Sequence, residues 1–224
     1  MNCAELLERL KLAANPEAVA GMARFGITPT RVYGVSIPEL RKLAREVGND
    51  HELAQQLWTS GIHDAQILAS MIDDPKQVTD AQLERWVLEF DSWDLCDQCC
   101  NNLFRRTTSA YQKALDWSAR EEEFVKRAGF VLMAALAVHD KRASDHVFER
   151  FLPIIKRENT DNRNFVKKAV NWALRQIGKR NSYLNARAIA IAEELRALDS
   201  TTAHWIAANA LRELTGEKVQ QRVR

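Results

Sequence analysis

Glycine and proline are scarce in this 224-residue chain, which contains 8 Gly and 5 Pro. These residues supply most turn chemistry, and no segment alternates polar and apolar residues with the period of a β-strand. Long stretches rich in Ala, Leu, Glu, Arg and Lys are common instead, and these residues favour helices. The sequence therefore predicts an all-α protein.

Long apolar runs are also absent. No window approaches the roughly 18 consecutive apolar residues of a membrane span. The first residues, MNCAELLERLKLA, lack a basic start followed by an apolar stretch, so we expect no membrane partner and a cytoplasmic location. With 46% hydrophobic and 28% charged residues, the composition is that of a folded protein. The length predicts a single domain over residues 1–224.

Cysteine is limited to Cys3, Cys96, Cys99 and Cys100. Three of the four lie within one helical turn, a spacing that does not fit the disulfide framework of a small secreted domain. Cys96 and Cys99 have the CxxC spacing of a metal or redox pair, but no second CxxC and no nearby His accompanies them. We therefore predict reduced cysteines on a buried helix face and no metal site.

Charge is distributed unevenly, although the whole chain has a formal net charge of only +2. Residues 1–118 carry 12 Lys/Arg and 17 Asp/Glu, a net charge of −5. Residues 119–224 carry 20 Lys/Arg and 13 Asp/Glu, a net charge of +7. A field of one sign attracts partners of the other, so the second half favours nucleic acid or another anionic surface.

Apolar residues recur at helical spacing between Pro, Gly, Asn and Asp positions. From residue 37 onward the helices form pairs, whose first members start near residues 37, 62, 92, 121 and 162. Two-helix units of this kind predict a helical-repeat solenoid in which one helix of each pair lines a concave surface, with a compact bundle as the alternative. The predicted helices span residues 2–13, 16–25, 37–48, 50–60, 62–74, 79–90, 92–105, 108–119, 121–139, 143–157, 162–179, 182–197 and 201–214.

The most basic segment is 156–187, where nine Lys/Arg oppose two Asp/Glu. On the helix predicted there, one face presents three cations around an indole, at i, i+4, i+7 and i+11. Cations neutralise phosphates and an indole stacks on a base or sugar, which predicts a nucleic-acid face. The alternative is a solvated charged face with the Trp packed into the core. The face consists of Lys168, Trp172, Arg175 and Lys179, and further DNA-binding candidates in the segment are Arg163, Lys167 and Arg180.

Two smaller groups of residues also have the chemistry of a site. In DSWDLCD at 91–97, Trp93 and Asp97 lie on one helix face, with Asn101 one turn further. Their carboxylate and indole fit either chemistry or a structural hydrogen bond, and Asp94 suits the helix N-terminus. In REEEFVKRAGFVLM at 120–133, Arg127 enters an otherwise apolar helix, where it either pairs with a carboxylate or holds a phosphate.

In this order the three groups resemble the bacterial HEAT-like-repeat alkylpurine DNA glycosylases, the AlkD-like branch of the DNA alkylation repair family. SWDLCD resembles that family's Trp-Asp-x-x-Asp segment, and KRAGF its Arg-bearing helix. FVKKAVNWALRQIGKRN resembles its Ala-x-x-Trp-x-x-Arg helix, and GVSIPELRKL at 34–43 one of its entry helices. The similarity extends over most of the chain.

The resemblance implies an all-α superhelix of HEAT-like repeats with a basic concave surface. It also implies a catalytic cleft lined by Trp93, Trp172 and Asp97, with Arg127 on the phosphate side and Arg175 as a further phosphate contact. The expected activity is excision of positively charged N3- or N7-alkylated purines from double-stranded DNA. The lesion would stay stacked, no metal or organic cofactor would be needed, and a monomer would suffice.

Two other functions remain open at this point. The same scaffold could bind branched or distorted DNA without catalysis, and the basic helix supports this equally well. Alternatively, the chain could be a protein-binding repeat scaffold, whose concave face should be apolar or acidic. The cations around Trp172 argue against the latter.

Overall fold

The computed structural model describes residues 1–223, in which every regular element is helical. Contacts divide the chain into two compact units, the first Met1–Thr108 and the second beginning at Ser109. This division does not test the prediction of a single domain over residues 1–224, which remains a prediction. None of the helices in residues 1–223 is long and apolar enough to cross a membrane.

The first unit contains seven α-helices and two 3-10 turns. Helix α3 packs on α5 and α5 packs on α7, so these three form a row, while α4 packs against α5. The Trp58 and Trp86 rings stack at 3.8 Å in the core beside Phe90 and Phe104. The helices are α1 Cys3–Leu12, α2 Pro16–Met22, α3 Ile37–Val47, α4 His51–Thr59, α5 His63–Ile72, α6 Asp80–Leu88 and α7 Trp93–Asn102, and the 3-10 turns are Ala23–Phe25 and Phe104–Arg106.

The second unit has a corresponding row, in which α9 packs on α12 and α12 packs on α14. Helix α9 also packs on α8, and Gly129 permits their close approach because a Cβ there would lie 2.5 Å from the Ser118 backbone nitrogen. The helices are α8 Ala110–Ser118, α9 Glu123–His139, α10 Asp145–Glu149, α11 Leu152–Arg157, α12 Asn164–Gly178, α13 Ser182–Arg196, α14 Thr201–Leu214 and α15 Glu217–Val223, with a 3-10 turn at Glu158–Thr160.

Most helix ends lie within one to three residues of the predicted ends, and the helices predicted over 16–25 and 92–105 end in 3-10 turns. Two larger differences remain. The helix predicted over 143–157 is split, because Pro153 has no N–H and its ring would clash with the carbonyl of Glu149, where α10 ends. Helix α15 was not predicted; it follows Gly216 and buries Val219 and Val223. The predicted buried position of Cys96, Cys99 and Cys100 on one helix face is confirmed.

Candidate nucleic-acid interface

Helix α7 presents Trp93 and Asp97 on one face in the first unit. Trp93 is the first residue of the helix and Asp97 follows one turn later, and both side chains are half-buried. The indole Nε1 of Trp93 donates a hydrogen bond of 2.9 Å to the backbone carbonyl of Phe25, which fixes the ring. Asp97 therefore lies outside the apolar core, one turn from a positioned indole, as the i, i+4 spacing predicts.

Asp94 lies in the same helix but has a different environment. Its Oδ2 is 2.9 Å from Nε2 of His63, a side chain only 3% exposed. Burial by itself lowers the pKa of His63, but the hydrogen bond and the charge of Asp94 raise that pKa above its ordinary value. Burial by itself raises the pKa of Asp94, and the bond with His63 brings that pKa below its usual range. The pair is therefore an ionic contact that joins α7 to α5.

Arg127 lies in α9 of the second unit and is only 6% exposed. Its Nη1 donates a 2.6 Å hydrogen bond to the backbone carbonyl of Phe165, at the start of α12. The neighbouring Lys126 is also buried, and its Nζ lies 2.9 Å from Glu158 Oε2 and 3.4 Å from Asp161 Oδ2. The structure thus fixes the Arg127 guanidinium against the first turn of α12.

Helix α12 and its C-cap residue Lys179 bring Trp172, Arg175 and Lys179 together, and all three side chains are half-buried. Arg175 Nη1 lies 3.0 Å from Glu213 Oε2, and Lys179 Nζ lies 2.7 Å from Glu213 Oε1. When the Gln176 amide is oriented with its oxygen toward both neighbours, this oxygen accepts hydrogen bonds from Trp172 Nε1 at 2.8 Å and from Lys179 Nζ at 3.1 Å. One carboxylate of α14 therefore holds both cations beside the indole.

The other predicted DNA-binding cations have diverse surroundings. Lys168 is exposed, and Lys167 lies 5.5 Å from the centre of the Trp205 ring. Arg163 forms a bidentate pair with Asp161, and its Nη1 donates to the Glu121 carbonyl at 2.6 Å.

Arg180 is held by backbone carbonyls at the end of α9 and in the loop that leads to α10. Its Nη1 donates to the carbonyls of Ala137 and Asp140, and its Nη2 donates to the carbonyl of Ala143. The guanidinium also lies 3.9 Å from the ring centre of Phe148. These contacts orient the Arg180 guanidinium within the second unit.

Sequence reasoning missed His63, Gln176 and Glu213 as members of these clusters. His63 and Asp94 are 31 residues apart, and Glu213 is 34 residues from Lys179. Such contacts depend on how helices pack in three dimensions, so no local spacing indicates them. Gln176 is the exception, since it stands four residues after Trp172 and thus on the same helix face.

Comparison with known proteins gives three results. The model of the family described as "DNA alkylation repair enzyme" matches residues 6–214. The Listeria innocua protein Lin0241 is 25% identical over 130 residues, which are 56% of this chain and 58% of that protein's length, so the match spans little more than half of that relative. A solved structure with 20% identity superposes with a TM-score of 0.81 over 100% of this chain and 96% of its own.

That solved structure is described as "A new family of proteins related to the HEAT-like repeat DNA glycosylases with affinity for branched DNA structures". The similarity confirms the prediction of an all-α, HEAT-like helical-repeat fold.

Proposed function

Because the chain belongs to the DNA alkylation repair enzyme family, we propose that it is a DNA glycosylase that excises N3- and N7-alkylated purines from duplex DNA. The observation that supports this most directly is on α7, where the half-buried carboxylate of Asp97 follows the fixed indole of Trp93 by one turn. A carboxylate with this partial exposure can meet a ligand while burial strengthens its electrostatic effect.

The proposed chemistry relies on the lesion itself. A purine alkylated at N3 or N7 carries a positive charge, so it is a good leaving group, and positive charge develops on the sugar as the glycosidic bond stretches. Asp97 would stabilise that charge and orient or deprotonate the attacking water. At about 4 Å and an effective dielectric constant of about 20, the attraction is about 4 kcal/mol, on the order of a thousandfold in rate. This would suffice for an activated lesion and would be too little for an unmodified base.

Trp93 and Trp172 would offer their electron-rich faces to the cationic nucleotide. Arg127 is proposed on the phosphate side, where the Phe165 carbonyl helps to orient its guanidinium. We propose that Arg163, Lys167, Lys168, Arg175, Lys179 and Arg180 neutralise backbone phosphates, with the Arg180 guanidinium oriented by its three carbonyl contacts. The lesion would remain stacked in the duplex, and the protein would act as a monomer without a metal or an organic cofactor.

Substitution of Asp97 tests the catalytic part of this proposal. We expect the Asp97→Asn variant to lose the release of 7-methylguanine from methylated duplex DNA, with binding to the same DNA largely retained. Chromatography of the released bases measures excision, and fluorescence anisotropy measures DNA binding. Asp91→Asn is the matched control, because Asp91 is an exposed carboxylate just before α7 and should be dispensable. Undiminished release by Asp97→Asn would refute the assigned role.

Binding of branched DNA without excision is the second candidate, since the superposed solved structure is described as having that affinity. The wild-type protein distinguishes the two functions in one pair of assays. Release of 7-methylguanine supports the glycosylase. Absence of release together with tighter binding to a four-way junction than to a linear duplex would support the second candidate and contradict the first.

A further inference from the structure

Four arginines surround an open depression of about 360 Å³ in the first unit, whose net charge is otherwise negative. Two of them, Arg41 and Arg45, lie on α3 one helical turn apart, and both are exposed. The other two, Arg105 and Arg106, lie in the 3-10 turn that follows α7. The remaining lining residues are Ala44, Met71, Asn101 and Asn102.

Within the part of the chain that the structure describes, these guanidinium groups are not neutralised by carboxylates. Among residues 1–223, no carboxylate forms an ion pair with any of the four. Arg105 is half-buried, and its pKa is lowered first by burial and then by the charge of Arg106. Its Nε donates to the backbone carbonyl of Asn101, which orients the group without neutralising it. The positive charges of Arg105 and Arg106 are thus held close together, and Arg105 is partly removed from solvent. This arrangement costs electrostatic free energy, which a bound anion would offset.

Three of the cations that the sequence singled out in the second unit are a useful contrast. Arg163 pairs with Asp161, and both Arg175 and Lys179 pair with Glu213. Their positive charge is therefore already partly neutralised within the protein. The four arginines of the first unit are better prepared to receive an anion, although they lie in the half of the sequence whose net charge is negative.

We propose that this arginine cluster, Arg41, Arg45, Arg105 and Arg106, binds nearby backbone phosphates of the DNA on which the proposed function acts. The inference rests on that function and extends the DNA contacts to a surface of the first unit. Four residues of helix advance about 6 Å, close to two steps of a strand that carries one phosphate per about 3.4 Å of duplex axis, so Arg41 and Arg45 fit phosphates about two steps apart. Guanidinium forks bind phosphate oxygens in a bidentate manner.

The shape of the depression favours a polymer over a small anion. It is open to solvent, and its cations come from two separate segments, α3 and the turn after α7. A small anion would contact only some of these groups, whereas a DNA strand that crosses the depression can engage all of them and release counterions at each contact.

The Arg41→Gln/Arg45→Gln variant tests the cluster, because both side chains are exposed on the surface of α3 and their loss should leave the fold intact. DNA affinity is measured by fluorescence anisotropy between about 50 and 200 mM salt, a range over which phosphate contacts make DNA affinity depend strongly on salt. For two lost phosphate contacts we expect the slope of log K against log salt to fall by about 1.8 and the affinity to drop roughly tenfold. The Arg105→Gln variant should lower the slope by about 0.9.

Lys76→Gln/Arg85→Gln is the matched control, since it removes the same charge from exposed positions of the same unit outside the depression. Its slope should stay close to that of the wild type. An equal fall in both double variants would reduce the effect to general electrostatics and overturn the cluster as a site.

The source of the anion is tested with inorganic phosphate. Stabilisation of the wild type by millimolar phosphate in a thermal shift assay, lost in Arg41→Gln/Arg45→Gln while the DNA slope is unchanged, would identify a small-anion site and overturn the DNA assignment. Failure of the proposed function looks different, because then the wild type itself would release no 7-methylguanine. A normal slope in the variant alongside wild-type excision would contradict only the arginine cluster.

Discussion

At the residue scale, two carboxylates of one helix have different surroundings. Asp94 and Asp97 are three residues apart in the same helix, and the sequence identifies both as carboxylates near Trp93. The structure separates them, because Asp94 is bonded to the buried His63 whereas Asp97 lies half-buried on the face of Trp93. The sequence could predict the Trp93–Asp97 face from helical spacing. It could not predict the partner of Asp94, which comes from another helix.

The pair of His63 and Asp94 predicts a pH-dependent contribution to stability. The folded-state pKa of His63 is raised, so its stabilisation is complete below the unfolded value of about 6.5 and is lost as pH rises through the folded value. The folded-state pKa of Asp94 is lowered, so its stabilisation is present above about 3.9 and is lost as pH falls through the folded value. The ionic contact therefore stabilises the fold most in mildly acidic solution. Asp64 and Asp91 also favour charged His63.

We expect His63→Gln to lower the free energy of unfolding by about 3 kcal/mol near pH 6, because it leaves the Asp94 charge without its partner. The loss should become smaller as pH rises toward 9, because wild-type His63 loses its proton as pH passes its raised folded-state pKa. Urea unfolding followed by tryptophan fluorescence measures both values. His204→Gln, at an exposed position of α14, is the control and should have little effect at either pH. An equal loss at the two pH values would contradict an ionic contact.

At the scale of helices, sequence periodicity predicted the helical segments well and their interruptions less well. Helix α14 begins and ends at the predicted residues, and α13 differs by a single residue at its end. Periodicity missed the break at Pro153, because the apolar spacing continues through it. Helix α15 was missed because it is short and begins directly after α14, so its stability depends on packing against α13 and α14 rather than on its own pattern.

The contact between α12 and α14 predicts that one carboxylate restrains DNA binding. Glu213 holds Arg175 and Lys179, so a phosphate must compete with it for both cations. A partly exposed ion pair contributes about 0.5 to 1 kcal/mol. We therefore expect Glu213→Gln to bind duplex DNA about twofold to fivefold more tightly than the wild type at low salt, and to show a steeper salt dependence.

Glu194→Gln is the matched control for this prediction. Glu194 also pairs with a lysine, Lys156, and its loss changes the net charge by the same amount. The affinity of the two variants and the wild type is compared by anisotropy on one duplex. Weaker binding by Glu213→Gln would mean that Glu213 positions the cations for phosphate and does not compete with it.

At the scale of the whole molecule, the net charge of each half was a good guide to the basic α12 but a poor guide to individual cations. The half with a net charge of +7 pairs many of its Lys and Arg internally, as Arg163 and Lys126 show. The half with a net charge of −5 contains the arginine cluster. A sum over sequence cannot show this, because neutralisation depends on which side chains become neighbours, and Arg45 and Arg105 become neighbours only through folding.

The state of the lesion in the complex gives a last prediction for the whole molecule. Most enzymes that act on a base in duplex DNA extrude it, which unstacks its neighbours. If the proposed glycosylase instead reaches the sugar of a stacked nucleotide, a 2-aminopurine placed next to the lesion should stay quenched when the protein binds. We expect no rise in its fluorescence on saturation with Asp97→Asn, which should bind without excision. A deaminase or glycosylase that flips its base serves as the positive control on the same duplex.

The stacked mechanism also predicts that the wild type releases 7-alkylguanines with bulky substituents at rates similar to that of 7-methylguanine. A several-fold rise in fluorescence, together with loss of release as the alkyl group grows, would show that the base enters a pocket of limited size and would refute the stacked mechanism while leaving glycosylase activity intact.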